Sequence, residues 1–351
     1  MNRATSVYLD VIRFTAALIV FLGHVSGMHL TGGLFWQFGP YMTSAVVVFF
    51  VLSGFVISYV TQRNESAASI YAINRAARVY SVALPALIVT FALDTVGRTI
   101  APGAYNITWG YVATGRLGQF ASSAFFTGEL WNRDIVPGSC LLYWSLDYEI
   151  WYYVMFGLAL FAPRRWSPLL LAAICIVAGP KIVLAAPLWL LGVGCQRLAA
   201  ERIPGPASGA ILCFGSVALL LAYELFIRNT YLPRLYRPDL INAYVVGVLF
   251  AAHLIGFSSF APTCRIRLGW LVPPIRWFAG ATFTLYLFHA PIAHFLAAIS
   301  PWPIPSWRNR LLVFGGTFLL VMAVAQVTER KKDAWRRAIT ALVRPLLGQQ
   351  A

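Results

Sequence analysis

The chain has 351 residues, 59% of them hydrophobic and only 11% charged, where an ordinary soluble domain carries about 25% charged residues. That excludes a soluble globular protein and a disordered chain, and leaves a polytopic membrane protein if the apolar residues fall in blocks of about 20. The formal net charge of +15 reads as cytoplasmic-loop lysine and arginine rather than nucleic-acid binding, because no basic run is interleaved with a recognisable binding module.

The first apolar run, from Leu9 to about Met28, is too long for a signal-peptide core and holds Asp10 and Arg13, so it reads as a span. Ten segments follow this pattern, at roughly 9–29, 41–60, 79–97, 144–162, 168–180, 182–198, 208–226, 240–260, 278–298 and 310–328. The fifth is short and leaves through a Gly-Pro-Lys turn, and the apolar patch Phe120–Phe126 is too short to span, reading as an interfacial or re-entrant piece. These segments predict an all-α polytopic integral membrane protein of about ten transmembrane helices, forming one domain over 1–328.

With both termini cytoplasmic, 17 of the 27 lysines and arginines fall inside, Arg202, Arg265 and Arg267 among them, in line with the positive-inside bias. Residues 329–351 form a basic cytoplasmic tail, with Trp335, Ile339 and Leu342 at helical spacing, as for a helix lying on an anionic membrane surface. The long outer segment Arg98–Tyr143 has the length of a lid or binding loop. Its Asn106-Ile107-Thr108 triplet reads as chance. Cys140, Cys175, Cys195, Cys213 and Cys264 stand far apart, with neither a disulfide framework nor a zinc pattern. No metal site is expected.

Ionisable residues inside spans are costly and ask for a function. Asp10, Arg13 and His24 share one stripe of the first helix, and Arg13 and His24 are about 16 Å apart along its axis. Asp10 and Arg13 can pair at i,i+3, while His24 needs a partner from another helix. The loop before the third span ends Asn74-Arg75-Ala76-Ala77-Arg78, whose two arginines can grip phosphate oxygens with forked donors or simply anchor the chain at the inner surface. The fourth span opens Tyr143-Trp144-Ser145-Leu146-Asp147-Tyr148-Glu149. Glu149 lies about 7–8 Å deep from the outer side, a depth that allows a contact with His24. In the ninth span, His289 beside Pro291 suggests a polar cavity. His253 and His294 read as packing or surface residues, and Asp94 and Glu224 as span-end groups able to reach water.

Five motifs in this order resemble the membrane-bound acyltransferase family three, the O-acyltransferases of surface glycans and similar acceptors: Asp10-x-x-Arg13-x10-His24, Phe49-Phe50-Val51-Leu52-Ser53-Gly54-Phe55, Arg75-x-x-Arg78, Trp144-Ser145-Leu146-x-Tyr148-Glu149 and Tyr286-Leu287-x-His289. The resemblance covers about 9–328. It implies a bacterial plasma-membrane enzyme that moves an acyl group, usually acetyl, from cytoplasmic acyl-CoA to a hydroxyl, usually on a sugar. It assigns the essential histidine to His24, with Asp10, Arg13 and Glu149 beside it in the catalytic set. Arg75 and Arg78 fall on its acyl-CoA site. Trp144, Ser145, Asp147, Tyr286 and His289 are read beside them as candidates for the acceptor or cavity side. The chain departs from the pattern at Asn74 and Ser81, where the family often has arginine and proline, which leaves acyl chain length open. The reading from another class is a transporter or exporter of a lipid-linked sugar or small metabolite; ten spans with buried charges suit it, but no inverted repeat is present.

Overall fold

The computed structural model describes residues 3–106, 115–201, 204–228, 239–263 and 269–345. Arg202, Cys264, Arg265 and Arg267, the Ile107-Thr108 part of the triplet and the last residues of the tail lie outside them. The helices run in chain order: α1 (Arg3–Val25), α2 (Met28–Thr31), α3 (Met42–Asn64), α4 (Ala68–Ile100), α5 (Pro102–Asn106), α6 (Arg116–Ala124), α7 (Tyr143–Phe161), α8 (Ser167–Ala178), α9 (Pro180–Glu201), α10 (Pro206–Ala222), α11 (Leu240–Phe260), α12 (Val272–Ala279), α13 (Thr282–Ile299), α14 (Trp307–Arg310), α15 (Thr317–Ala325) and α16 (Lys332–Val343). Eight helical stretches among the described residues are long and apolar enough to cross a membrane. The chain is an all-α, multi-pass membrane protein.

Each of the ten apolar segments is helical. The fifth is the 12-residue α8, about 18 Å long and shorter than a bilayer core. It ends at Gly179, whose φ of 82° turns the chain into α9. The third differs most from expectation. Its helix begins at Ala68 rather than near 79, so Arg75 and Arg78 lie inside α4, not in a loop. The reason is local: Ala68–Tyr80 has no glycine or proline to break a helix, and its alanines favour one.

The chain divides into two compact units. The first holds described residues within Met1–Ala16, Tyr41–Ser66 and Ala178–Ala279. There α3 packs on α9, α10 on α11, and α11 on both α9 and α3. Lipid is as apolar as leucine, so close packing rather than water exclusion drives such contacts. Two glycine seams provide it. A Cβ on Gly192 would strike the Val51 carbonyl and one on Gly54 the Trp189 carbonyl, and Gly209 and Gly256 meet each other's chains in the same way. Leu9, Leu52, Phe55, Phe250 and Leu254 fill the space around the first seam.

Two polar groups in this unit are paired by side chains from other turns or helices. Glu224, expected to reach water, instead binds Arg228 at 2.6 Å and takes the hydroxyl of Ser44. The His253 ring bonds the Cys213 carbonyl through Nδ1 at 3.0 Å and the Tyr8 hydroxyl through Nε2.

The second unit comprises described residues within Ala17–Pro40, Ala67–Val177 and Gly280–Ala351. There α4 packs on α13, α7 and α16, and α13 on α15. The tail forms the helix its spacing predicts. Trp335, Ile339 and Val343 are its half-buried positions, while Leu342 is exposed.

The segment before α7 is anchored by two carboxylates, each 1% exposed. Asp94, expected at a wet span end, accepts the amide and hydroxyl of Ser139 at 3.0 and 2.6 Å. Asp147 accepts the amide of Glu129 at 3.0 Å. The same segment holds Phe126 and Trp131 at φ values of 55° and 56°, strained positions for aromatic residues.

Candidate active site

The second unit gathers most of the predicted site residues around α13. At its start, the amides of Phe283 and Thr284 both donate to Glu329 Oε2 at 3.0 Å. A carboxylate there satisfies orphan N–H groups and complements the positive end of the helix dipole. Arg78 lies in the field of Glu149, Glu329 and Tyr153. The Tyr153 hydroxyl donates to Glu149, and the Arg75 guanidinium sits 5.5 Å from the Tyr71 ring centroid and 5.9 Å from that of Tyr153. Two arginines, two carboxylates and two tyrosines therefore make one ionic cluster.

The sequence reading missed Glu329 and Tyr153. Tyr153 was open to it, being four residues after Glu149, the spacing at which helical side chains meet. Glu329 was masked by the basic run Arg330–Lys332 that follows it.

One step further along α13, the hydroxyls of Tyr286 and Ser145 are 2.7 Å apart. Ser145 also donates to the Leu142 carbonyl at 3.1 Å, so Tyr286 is the donor to Ser145. Glu149 acts electrostatically on Tyr286, which ties this pair to the ionic cluster. Trp144 packs edge-on to Tyr148, with centroids 5.4 Å apart.

His289 follows Tyr286 after three residues. Its ring centroid is 5.3 Å from that of His24, and Phe21 meets it edge-on. The partner ring shown for His24 is thus His289, while Glu149 is engaged by Tyr153 and Arg78. His24 Nδ1 lies 2.9 Å from the Val20 carbonyl and His289 Nδ1 2.7 Å from the Leu285 carbonyl. A carbonyl only accepts, so each Nδ1 carries the proton and each Nε2 keeps its lone pair. His289 Nε2 is buried without a hydrogen-bond partner. This is the arrangement a general base or nucleophile needs. A second pair stands beyond it: His29 and His294 have centroids 6.3 Å apart, and Tyr105 meets His294 edge-on at 4.5 Å.

Other predicted residues lie elsewhere. Asp10 and Arg13 belong to the first unit and form an i,i+3 ion pair at 3.9 Å. Asp147 anchors the Glu129 backbone, as described above. Cys140 Sγ donates to the Leu287 carbonyl at 3.2 Å. Burial, and then the nearby Asp94, push this thiol up to about 12, so it offers no thiolate. Among the described residues no group of three histidines, cysteines or carboxylates could hold a metal ion.

A family model described as an acyltransferase domain, acyltransferase 3, matches residues 6–329. The chain belongs to the acyltransferase 3 family. No curated protein and no solved structure matches it. The family match decides between acyl transfer and transport in favour of the membrane-bound acyltransferase, and spans both compact units.

Proposed function

We propose that this acyltransferase moves an acyl group, acetyl in the first instance, from cytoplasmic acyl-CoA to a hydroxyl of a carbohydrate or related acceptor at the outer side of a bacterial plasma membrane, with both termini cytoplasmic. The observation that carries the reading is the His24–His289 pair, with both Nδ1 protons fixed on backbone carbonyls and His289 Nε2 left without a partner.

In this reading His24 Nε2 takes the proton of the acceptor hydroxyl as that oxygen attacks the thioester carbonyl. The C–S bond breaks, an ester forms, and the proton passes on to the departing thiolate. His289 orients the acceptor hydroxyl. Arg75 and Arg78 supply positive charge for the CoA phosphates, and Glu149 and Glu329 keep the Arg78 guanidinium in place. Asp10 and Arg13, paired with each other in the first unit, complete the catalytic set that the family resemblance suggests. Trp144, Ser145, Asp147 and Tyr286 shape the acceptor side, with the Tyr286–Ser145 hydrogen bond holding α13 to α7.

The test is labelled acetyl-CoA supplied to sealed vesicles carrying the wild type or His24→Ala, with free CoA and labelled product followed together. We expect release of CoA and a labelled acceptor from the wild type only, with both proteins inserted to the same level. Equal CoA release by His24→Ala would remove His24 from the mechanism. No release from acetyl-CoA or any longer acyl-CoA would overturn the donor assignment.

A further inference from the structure

The first unit contains a cleft of about 790 Å³ that none of the predicted site residues lines. It lies among the ends of α1, α3, α9 and α11, with Thr5, Phe55, Tyr59, Arg63, Gln196 and Ser258 on its walls. Its volume is that of a small-molecule site.

Its polar chemistry is one-sided. Among the described residues no aspartate or glutamate lines it. The Arg63 guanidinium lies 4.8 Å from the Tyr59 ring centroid, a cation–π contact that does not use its N–H donors. Gln196 is 5% exposed, and its Oε1 accepts from Ser58 at 2.8 Å and from Gln62 at 2.9 Å. With its oxygen doubly occupied, its NH₂ is the group left for the cleft. Ser258 Oγ is buried without a partner. A helix C-terminus accounts for an arginine in the last turn of α3. It accounts for neither of the two neutral donors. Phe55 and Ala199 make part of the wall apolar.

We propose that this cleft binds a phosphate-bearing amphiphile, with the phosphate on Arg63, Gln196 and Ser258 and the apolar arm along Phe55. Guanidinium forks match phosphate oxygens bidentately, and neutral donors complete the oxyanion's bonds. Two sources share that chemistry: the headgroup of an anionic phospholipid, or acyl-CoA held here rather than at Arg75 and Arg78. The second rests on the acyl-transfer reading above; the first does not.

The experiment uses the full chain in a phosphate-free maltoside detergent and reads the thermal unfolding midpoint against concentration, since a ligand of the folded state raises it. One arm adds CoA, the other dihexanoyl phosphatidylglycerol. Each is run on the wild type, Arg63→Gln and Ser258→Val. We expect one ligand to raise the wild-type midpoint, with its half-saturating concentration about tenfold higher in either variant, the loss that follows from removing one hydrogen bond to a charged group. Arg63 is exposed, so Arg63→Gln folds, and its unliganded midpoint serves as the check. A CoA response identifies a donor subsite, and a phosphatidylglycerol response a lipid site. A CoA response unchanged in both variants places CoA elsewhere and overturns the cleft while leaving acyl transfer intact. No response to either ligand overturns it outright.

Discussion

Two histidines buried in spanning helices of the two units are treated in opposite ways. His253 in the first unit gives its Nδ1 proton to the Cys213 carbonyl and receives the Tyr8 hydroxyl at Nε2, so both ring nitrogens are used. His289 in the second unit also gives its Nδ1 proton to a carbonyl, but its Nε2 has no protein partner and the side chain is fully buried. A buried nitrogen left in that state costs about 1–3 kcal/mol, a cost a merely structural histidine has no reason to carry. Hydrogen-bond completeness separates the two residues.

Replacing each by leucine turns the contrast into a double dissociation. His289→Leu is expected to lower acyl transfer by about 10²-fold, the loss that follows when a reacting group is no longer held in place, with thermal stability unchanged or raised, because an unsatisfied polar group has been removed. His253→Leu leaves the Tyr8 hydroxyl and the Cys213 carbonyl without their partner. It should lose about 1–3 kcal/mol of stability, while transfer per folded molecule stays at the wild-type level. If both variants lose stability and activity in parallel, the distinction between the two histidines fails.

A second way to sharpen the comparison acts on packing in the first unit alone. Gly192→Leu drives a side chain into the Val51 carbonyl and Phe55 amide of α3. Overpacking costs about 1–3 kcal/mol and more where the obstacle is backbone, so folded protein should fall sharply in a fluorescence-detected size-exclusion profile. Gly194→Leu is the control: nothing lies within 4 Å of a Cβ there, and a normal profile is expected. Equal losses in the two variants would show that the α3–α9 seam is not the constraint.

Glu329 tests whether the ionic cluster of the second unit is a matter of charge or of helix capping. Glu329→Gln keeps an oxygen for the Phe283 and Thr284 amides and removes the charge facing Arg78. Transfer should fall about tenfold, with stability within about 0.5 kcal/mol of the wild type. Glu329→Ala removes both and should cost about 0.5–2 kcal/mol of stability in addition, as for loss of a helix cap. An active Gln variant would assign the residue to capping alone.

The spans were legible because hydropathy comes in blocks, and the first-helix stripe because 3.6-residue periodicity is a property of one element. Arg13 and Asp10 pair as the spacing predicts. What crossed between elements was not legible. Tyr153, four residues after Glu149 on the same helix, was open to the spacing argument, but nothing near Glu149 says that Arg78 would engage it, because that depends on which helices pack side by side. The helical register of Arg75 and Arg78 was misjudged for another reason: charge in a sequence window lowers hydropathy, so a spanning helix that begins with arginines is cut short at Val79 when its backbone continues to Ala68. His24 was expected to meet Glu149, and the ring beside it is instead His289.

The smallest expected effect concerns the segment that joins α6 to α7 and its contact with α13. Burial, reinforced by the Asp94 carboxylate, raises the Cys140 thiol to about 12. At pH 8 its thiolate fraction is then on the order of 10⁻⁴, and thiolate is the reactive form. Mass-spectrometric mapping after N-ethylmaleimide treatment of the folded protein should find Cys140 unmodified. Asp94→Asn removes the charge and weakens the clasp on Ser139. Both changes act in the same direction, lowering the thiol and loosening the backbone that covers it, so Cys140 labelling should rise while the Leu287 carbonyl loses its partner. Rapid labelling of wild-type Cys140 would mean that the segment opens away from α13 on the labelling timescale, and the closed arrangement beside His289 would then be only one state of the site.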